Sequence, residues 1–264
     1  MRRLIAFPCA GDTLVATLDE GRSTTGLLIV SGGNEIRIGA HRGMASLAAR
    51  LAAAGTPVFR YDRRGVGDST GENRGFLESA PDIAAAAATF TAETGIRRLV
   101  AFGNCDAATA LALFHGVAGI DALVLANPWA IEEAGDLPPA AAIRARYAER
   151  LRDPRQWLRL ARGGVNIVKL AKGLQKLSAR DSSRPGDLSG RLMAALAAAD
   201  IPITILLAAR DNTALAFRKA LNEAGAKTAA LTIAQCDTAS HSFAAEADKR
   251  WLFEQVESAL ARLQ

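Results

Sequence analysis

The chain has 264 residues, half of them hydrophobic, with 32 basic against 27 acidic side chains and a formal charge of +5. That length suits one large domain, or a domain with an insertion, and the apolar share argues against disorder. The mild basic excess does not mark a nucleic-acid binder, and no apolar run reaches the roughly 18 residues of a membrane span.

In chain order, "RRLIAFPCA" and "DTLVATLDE" read as two leading strands joined as a hairpin through Gly11. The opening "MRRLIAFPCAG" imitates a signal peptide, but its apolar run is short and flows into the strand pattern. "TGLLIVSGG" (25–33) is a continuous apolar strand, as expected where helices cover both faces of a sheet. A helix through "RGMASLAARLAAAG" stops at Gly55, and strand "PVFRYD" (57–62) leads into the glycine-rich turn "RRGVGDSTGEN". Residues 78–94 read as a helix, 97–103 as a strand, 105 to about 116 as a helix and 121–129 as a buried strand. Strands at 201–211 and 227–236 and a helix over 243–262 complete the pattern. Alternating strands and helices predict a mostly parallel α/β sheet.

Residues 130–195 break that rhythm, with many arginines and lysines and amphipathic helical spacing but no convincing strand. They divide the chain into a core of 1–129 plus 196–264 and a helical insertion of 130–195, which is either a lid over a site or a static extra layer. Its basic face allows weak contact with a membrane surface or an anionic substrate, although such faces are usually just solvated. Three cysteines, Cys9, Cys105 and Cys236, are too few and too far apart for a disulfide scaffold or a zinc site. A soluble cytoplasmic protein in a reducing compartment is the expectation. No cofactor and no metal are expected, and oligomeric state is not legible.

The chemistry centres on "VAFGNCDAATALALF" (100–114), where a strand passes into a helix through Gly103-Asn104-Cys105-Asp106-Ala107. A nucleophile in a sharp strand-to-helix turn needs small residues two before and two after it, and Gly103 and Ala107 supply them. The following helix N-terminus favours a thiolate, while the charge of Asp106 opposes one. Cysteine is also commonly buried as a small hydrophobe, so the pentapeptide alone decides little. Chain order adds weight: Asp211 ends "ITILLAARD", and His241 lies in "CDTASHSF" before the last helix. Nucleophile, acid, histidine is the α/β-hydrolase order. The expected catalytic set is therefore Cys105, His241 and Asp211, with Asp237 as a rival acid.

Oxyanion donors are expected from the Asp106 amide and from Gly33 or Asn34 in "SGGNE". Gly32, Asn104 and Trp129 are the candidate substrate contacts. Asp62 and Arg63 are expected to brace loops beneath the site. His41 and His115 are expected to serve as cap or surface residues, and Cys9 and Cys236 to pack on strands.

With these residues in place, the whole chain resembles α/β-hydrolases of the serine-aminopeptidase and lysophospholipase-like type. More narrowly it is similar to the exosortase A system-associated hydrolases. The carrying pieces are the block from "GLLIVSGGNEIRIGAHRGM" to "VFRYDRRGVGDSTG", the elbow "GNCDAATAL", "DPRQWLRL", "LLAARDNTA" and "SHSF". The resemblance implies an α/β-hydrolase fold with an eight-stranded sheet, helices on both faces and a helical cap. It also implies a setting beside bacterial exopolysaccharide and protein-sorting systems. The expected activity is cleavage of an ester, thioester or amide of a small-molecule acyl substrate. The alternatives are acyl transfer by the same cysteine and a catalytically idle fold used for binding or assembly.

Overall fold

The computed structural model describes residues 1–131, 188–225 and 231–263. Residues Met1–Ala130 and Arg191–Gln264 make up one compact unit. The expected insertion of 130–195 lies largely outside the described residues, so neither its helices nor its contact with a membrane is described. Residues 227–230 of the last expected strand lie outside them as well.

Eight strands form one sheet in the order β1-β2-β4-β3-β5-β6-β7-β8. β1 (Arg2–Cys9) and β2 (Asp12–Asp19) pair antiparallel across a turn at Ala10 and Gly11, where φ is 52° and 90°. β2 also pairs antiparallel with β4 (Val58–Tyr61). The remaining strands run parallel: β3 (Thr25–Val30), β5 (Arg98–Asn104), β6 (Ala122–Ala126), β7 (Ile203–Ala208) and β8 (Leu231–Cys236). Every residue of β3, β4, β6 and β7 is buried, which is why β3, β6 and β7 read as largely apolar runs; in β4 the buried Arg60 is paired with Asp19 at 3.0 Å.

The helices divide between the two faces. α1 (Gly43–Ala53) and α6 (Glu246–Ala261) cover one face through Leu47, Leu51, Leu252, Val256 and Leu260, which pack on Val100 and Phe102 of β5. α2 (Ala80–Thr94), α3 (Asp106–Phe114), α4 (Leu188–Ala198) and α5 (Asn212–Glu223) cover the other, where Ile83, Phe90, Leu111, Leu192 and Phe217 meet Leu99 and Ala101. The alternation along β5 is the period-two consequence of strand geometry, and the helical contacts follow the three-to-four spacing of one helix face.

Two differences from the sequence expectation bear on the site. α5 was not foreseen; its polar residues hid the pattern that buries Ala214 and Phe217. The last helix begins at Glu246 instead of 243, because Phe243 has a φ of 52° and belongs to the preceding loop. Phe243 is buried and stacks on Trp251 at 5.7 Å, so its apolar side chain anchors a loop that carries His241.

Candidate active site

Cys105 follows β5 and precedes α3 with φ 63° and ψ −128°. A β-substituted residue adopts that conformation only when its surroundings enforce it, at a cost on the order of 1–3 kcal/mol. The enforcement is visible in the backbone. Cys105 N–H donates to Ala126 O at 2.9 Å, and Cys105 O accepts from Ala108 N at 3.1 Å and Trp129 N at 3.2 Å. Gly103 is required, since a Cβ there would lie 2.8 Å from the carbonyl carbon of Ala107. The turn therefore lifts a half-buried thiol above the carboxyl edge of the sheet.

Asp211 and His241 arrive at the same edge from two other loops. Asp211 caps α5, its Oδ2 accepting from Thr213 N and Ala214 N at 3.1 Å each. The same oxygen lies 2.9 Å from His241 Nδ1. A carboxylate can only accept, so Nδ1 carries the proton and Nε2 is the nitrogen left for another partner. Cys105 also lies near enough to the ring to favour its protonated form. Burial disfavours the charged ring, but the hydrogen bonds and negative charge of Asp211 and Cys105 outweigh it, and the His241 pKa is pushed up to about 10. The structure thus joins Asp211 and His241 by a hydrogen bond, with Cys105 near enough to influence the ring. The rival Asp237 does not join them: its carboxylate is 86% exposed and faces Arg210 at 3.3 Å.

Asn127 is a residue of this site that sequence reasoning missed. It is fully buried with φ 42°, accepts from Ala208 N at 2.8 Å, and donates to His241 O at 3.1 Å and to Asn104 Oδ1 at 3.1 Å. Asn104 Nδ2 donates to the same His241 carbonyl at 3.2 Å. The two asparagines tie the elbow, the end of β7 and the histidine loop together. Asn104, expected to touch substrate, takes part in this bracing and also lines the cleft beside the elbow. A polar residue closing an otherwise apolar strand, "LVLAN", is the signal that could have exposed Asn127, because a buried amide must find partners.

The oxyanion side differs from expectation. Gly33 N–H, expected to face a substrate oxygen, donates to Asp106 Oδ1 at 2.7 Å. Among the described residues the amides of Asp106 and Asn34 have no hydrogen-bond acceptor, and the Asn34 side chain accepts from Asn73 Nδ2 at 2.8 Å. Gly32 is needed for a reason other than substrate approach: a Cβ there would lie 2.5 Å from Asp106 Oδ1 and 2.7 Å from Asn104 O. Arg63 donates to Gly33 O from beneath, and Asp62 accepts from Arg37 N at 2.6 Å and Asp68 N at 3.1 Å. Asp62 and Arg63 therefore brace the loop, as the sequence suggested.

The remaining candidates hold peripheral positions. Trp129 is half-buried; its backbone N–H binds the elbow, and its carbonyl accepts from Thr109 Oγ1 at 2.7 Å. His41 is exposed, and His115 Nδ1 lies 3.1 Å from Ala112 O near the end of α3. Cys9 and Cys236 are buried at strand ends. A small cleft beside the elbow is lined by Ser31, Gly32, Glu35, Asn104 and Ser242.

This elbow, on this sheet order, defines the class of protein, and sequence comparison agrees. The chain belongs to the alpha/beta hydrolase family, whose model matches residues 27–254. No curated protein matches it. Among solved structures it is similar to an esterase of Pyrococcus furiosus, with a TM-score of 0.65, 14% identity and coverage of 99% of this chain and 90% of that one. It is also similar to an alpha/beta hydrolase of Sphaerobacter thermophilus, with a TM-score of 0.58, 22% identity and coverage of 95% and 99%. A thioesterase domain from the curacin biosynthetic pathway aligns with a TM-score of 0.60 and 14% identity, covering 97% and 99%. At these identities the likeness establishes the fold.

Proposed function

We propose that the protein is a hydrolase that cleaves an ester, thioester or amide through an acyl-cysteine on Cys105. The observation that carries this reading is the strained elbow at Cys105 facing an imidazole that Asp211 orients. Sγ attacks the acyl carbon, and the thiol proton resides on His241 Nε2. The new S–C bond forms as the bond from carbon to the leaving oxygen, sulfur or nitrogen breaks, and the imidazolium gives its proton to that atom. Water, deprotonated by the same ring, then resolves the thioester; a substrate alcohol, thiol or amine in its place would make the reaction an acyl transfer. The raised His241 pKa suits the acid half of this cycle. The family resemblance, its exosortase and exopolysaccharide setting and a cytoplasmic location belong to the same proposal.

A second reading has one specific observation in its favour. The Asp106 carboxylate takes the amide of Gly33, as it would in a hydrolase fold kept only for binding or assembly. Iodoacetamide labelling and p-nitrophenyl ester turnover separate the two. The enzyme reading expects Cys105 to label faster than a free thiol, with the advantage lost in His241→Ala and turnover lost in Cys105→Ala. Equal ester turnover in the native protein and Cys105→Ala would remove the covalent mechanism.

A further inference from the structure

We infer that the Asp106 carboxylate is a resting-state plug of the oxyanion site, and that acylation of Cys105 requires it to leave the Gly33 amide. The inference rests on the acyl-cysteine reading above and adds how that site is held quiet. Asp106 is both the residue after the nucleophile and the first residue of α3, so its own N–H points where charge develops on the acyl oxygen. Its side chain folds back to the neighbouring loop and puts a negatively charged oxygen 2.7 Å from Gly33 N. That is the donor distance an oxyanion would occupy, and one N–H cannot serve both acceptors fully. The carboxylate is thus a built-in imitation of the transition-state oxygen, and its charge opposes the formation of a second anion beside it.

The same bond could instead be a clamp that shapes the loop, and three observations argue against that. The Gly33 carbonyl is already held by Arg63, and further along the same loop the Arg37 amide is held by Asp62 at 2.6 Å. Gly33 has φ 55°, a conformation glycine adopts without steric cost, so it does not require the Asp106 contact to enforce it. Asp106 is half-exposed, so its side chain can turn to water while its charge keeps the favourable position at the helix N-terminus.

Gly32 fits the plug, since any Cβ there would meet the Asp106 Oδ1 at 2.5 Å. Removing the plug frees Gly33 to donate beside the Asp106 amide, which the backbone supplies whatever the side chain. The acylation step is otherwise unchanged: Sγ–C forms, C–O breaks, and the proton passes through His241 to the departing alcohol.

The test compares the full-length protein with Asp106→Ala and Asp106→Asn. Two rates are measured on Cys105 by intact mass: acylation by p-nitrophenyl acetate and alkylation by iodoacetamide. Alkylation passes through no oxyanion, so it reports the thiolate and His241 alone, and the ratio of the two rates isolates the oxyanion site. Displacing one hydrogen bond to a charged acceptor corresponds to about a tenfold change in rate. Asp106→Ala is therefore expected to raise the ratio about tenfold. Asp106→Asn keeps the acceptor but loses the charge, and should fall between Asp106→Ala and the native protein. A ratio that is unchanged or lower in Asp106→Ala, in protein with native circular dichroism, overturns the plug and makes Asp106 a clamp. If none of the three proteins is acylated while all are alkylated, the acyl-cysteine reading itself fails, and the plug with it. Should Asp106→Ala not fold, the Asp106→Asn ratio decides alone: a rise supports the plug and no rise overturns it.

Discussion

Cys9 and Cys105 both stand at the carboxyl ends of strands near an acidic side chain, yet the fold gives them opposite surroundings. Cys9 ends β1 in the interior with Sγ 3.6 Å from Asp82, itself paired to Arg64 at 2.6 Å. Burial and then the Asp82 charge push its pKa up to about 11, so the thiolate is suppressed. Cys236 follows the same logic, raised by burial and by Asp248. Cys105 is half-exposed on a strained turn, and the group in reach of its sulfur is an imidazole that can hold a proton. Reactivity at a cysteine is decided by its partner and its exposure, and neither is written in the residue itself.

The largest expected effect breaks that contrast directly. Cys105→Ala should abolish acyl-enzyme formation and lower ester turnover by at least about 10^4-fold, the scale on which a nucleophile and base act as a unit. Cys9→Ala and Cys236→Ser should leave turnover within a factor of about two, since the sulfur of each faces a carboxylate away from the triad, Asp82 for Cys9 and Asp248 for Cys236. Peptide mapping after iodoacetamide at pH 7.5 should find label on Cys105 alone. Label on Cys9 in folded protein would show that burial does not separate the two sites.

Next in size is Asp211→Asn. The amide retains an oxygen for the Thr213 and Ala214 amides, so α5 should stay capped, but it can present an N–H to the imidazole and favour the wrong tautomer. Turnover should fall on the order of 10^2 to 10^4-fold with little change in melting temperature. A fall in stability equal to the fall in activity would make Asp211 a helix cap and nothing more. Asn127→Ala tests the bracing of the other side of the ring. It leaves the Ala208 amide without its acceptor and the His241 carbonyl with Asn104 as its one remaining side-chain donor, at a stability cost of about 1–3 kcal/mol. The expected kinetic signature is a drop in kcat of about tenfold with KM unchanged, because the ring loses its position while the substrate contacts remain.

These particulars show which parts of the site could be read from the chain. The sheet was legible because strands buried on both faces are apolar throughout, as β3 and β6 are, and because a parallel sheet alternates strand with helix. The elbow was legible because sharp turns demand small residues at fixed offsets, which Gly103 and Ala107 meet. The placing of Asp211 and His241 followed from their order relative to strand ends. Long-range polar pairing was not legible. Nothing local tells Asn127 that it will meet a carbonyl 114 residues later. Nor does "SGGN" announce that the Gly33 amide will be taken by a side chain 73 residues away. Phe243 misled for a related reason: its spacing fits helix α6, but the fold uses its ring to stack on Trp251 and turn the chain. Hydrophobic periodicity reports which side chains are buried and is silent on which loop the burial serves.

The smallest expected effect concerns pH. The folded state raises the His241 pKa from 6.5 to about 10, so folding favours the protonated ring. A group with a raised folded pKa adds stability that is fully present below its unfolded pKa and lost as pH rises through the folded one. The contribution should therefore be complete below pH 6.5 and gone above pH 10 or so. Side-chain exposure of 36% lets solvent screen the pair, which keeps the effect modest. His241→Gln removes the titrating group while keeping a polar side chain. The difference in urea midpoint between the native protein and this variant should be widest at pH 6 and close steadily toward pH 10. Cys9 titrates near the upper end of that window but is present in both proteins, so it cancels in the difference. A difference that holds constant across the range would mean that His241 keeps its ordinary pKa in the fold, and that neither Asp211 nor Cys105 stabilises its charge.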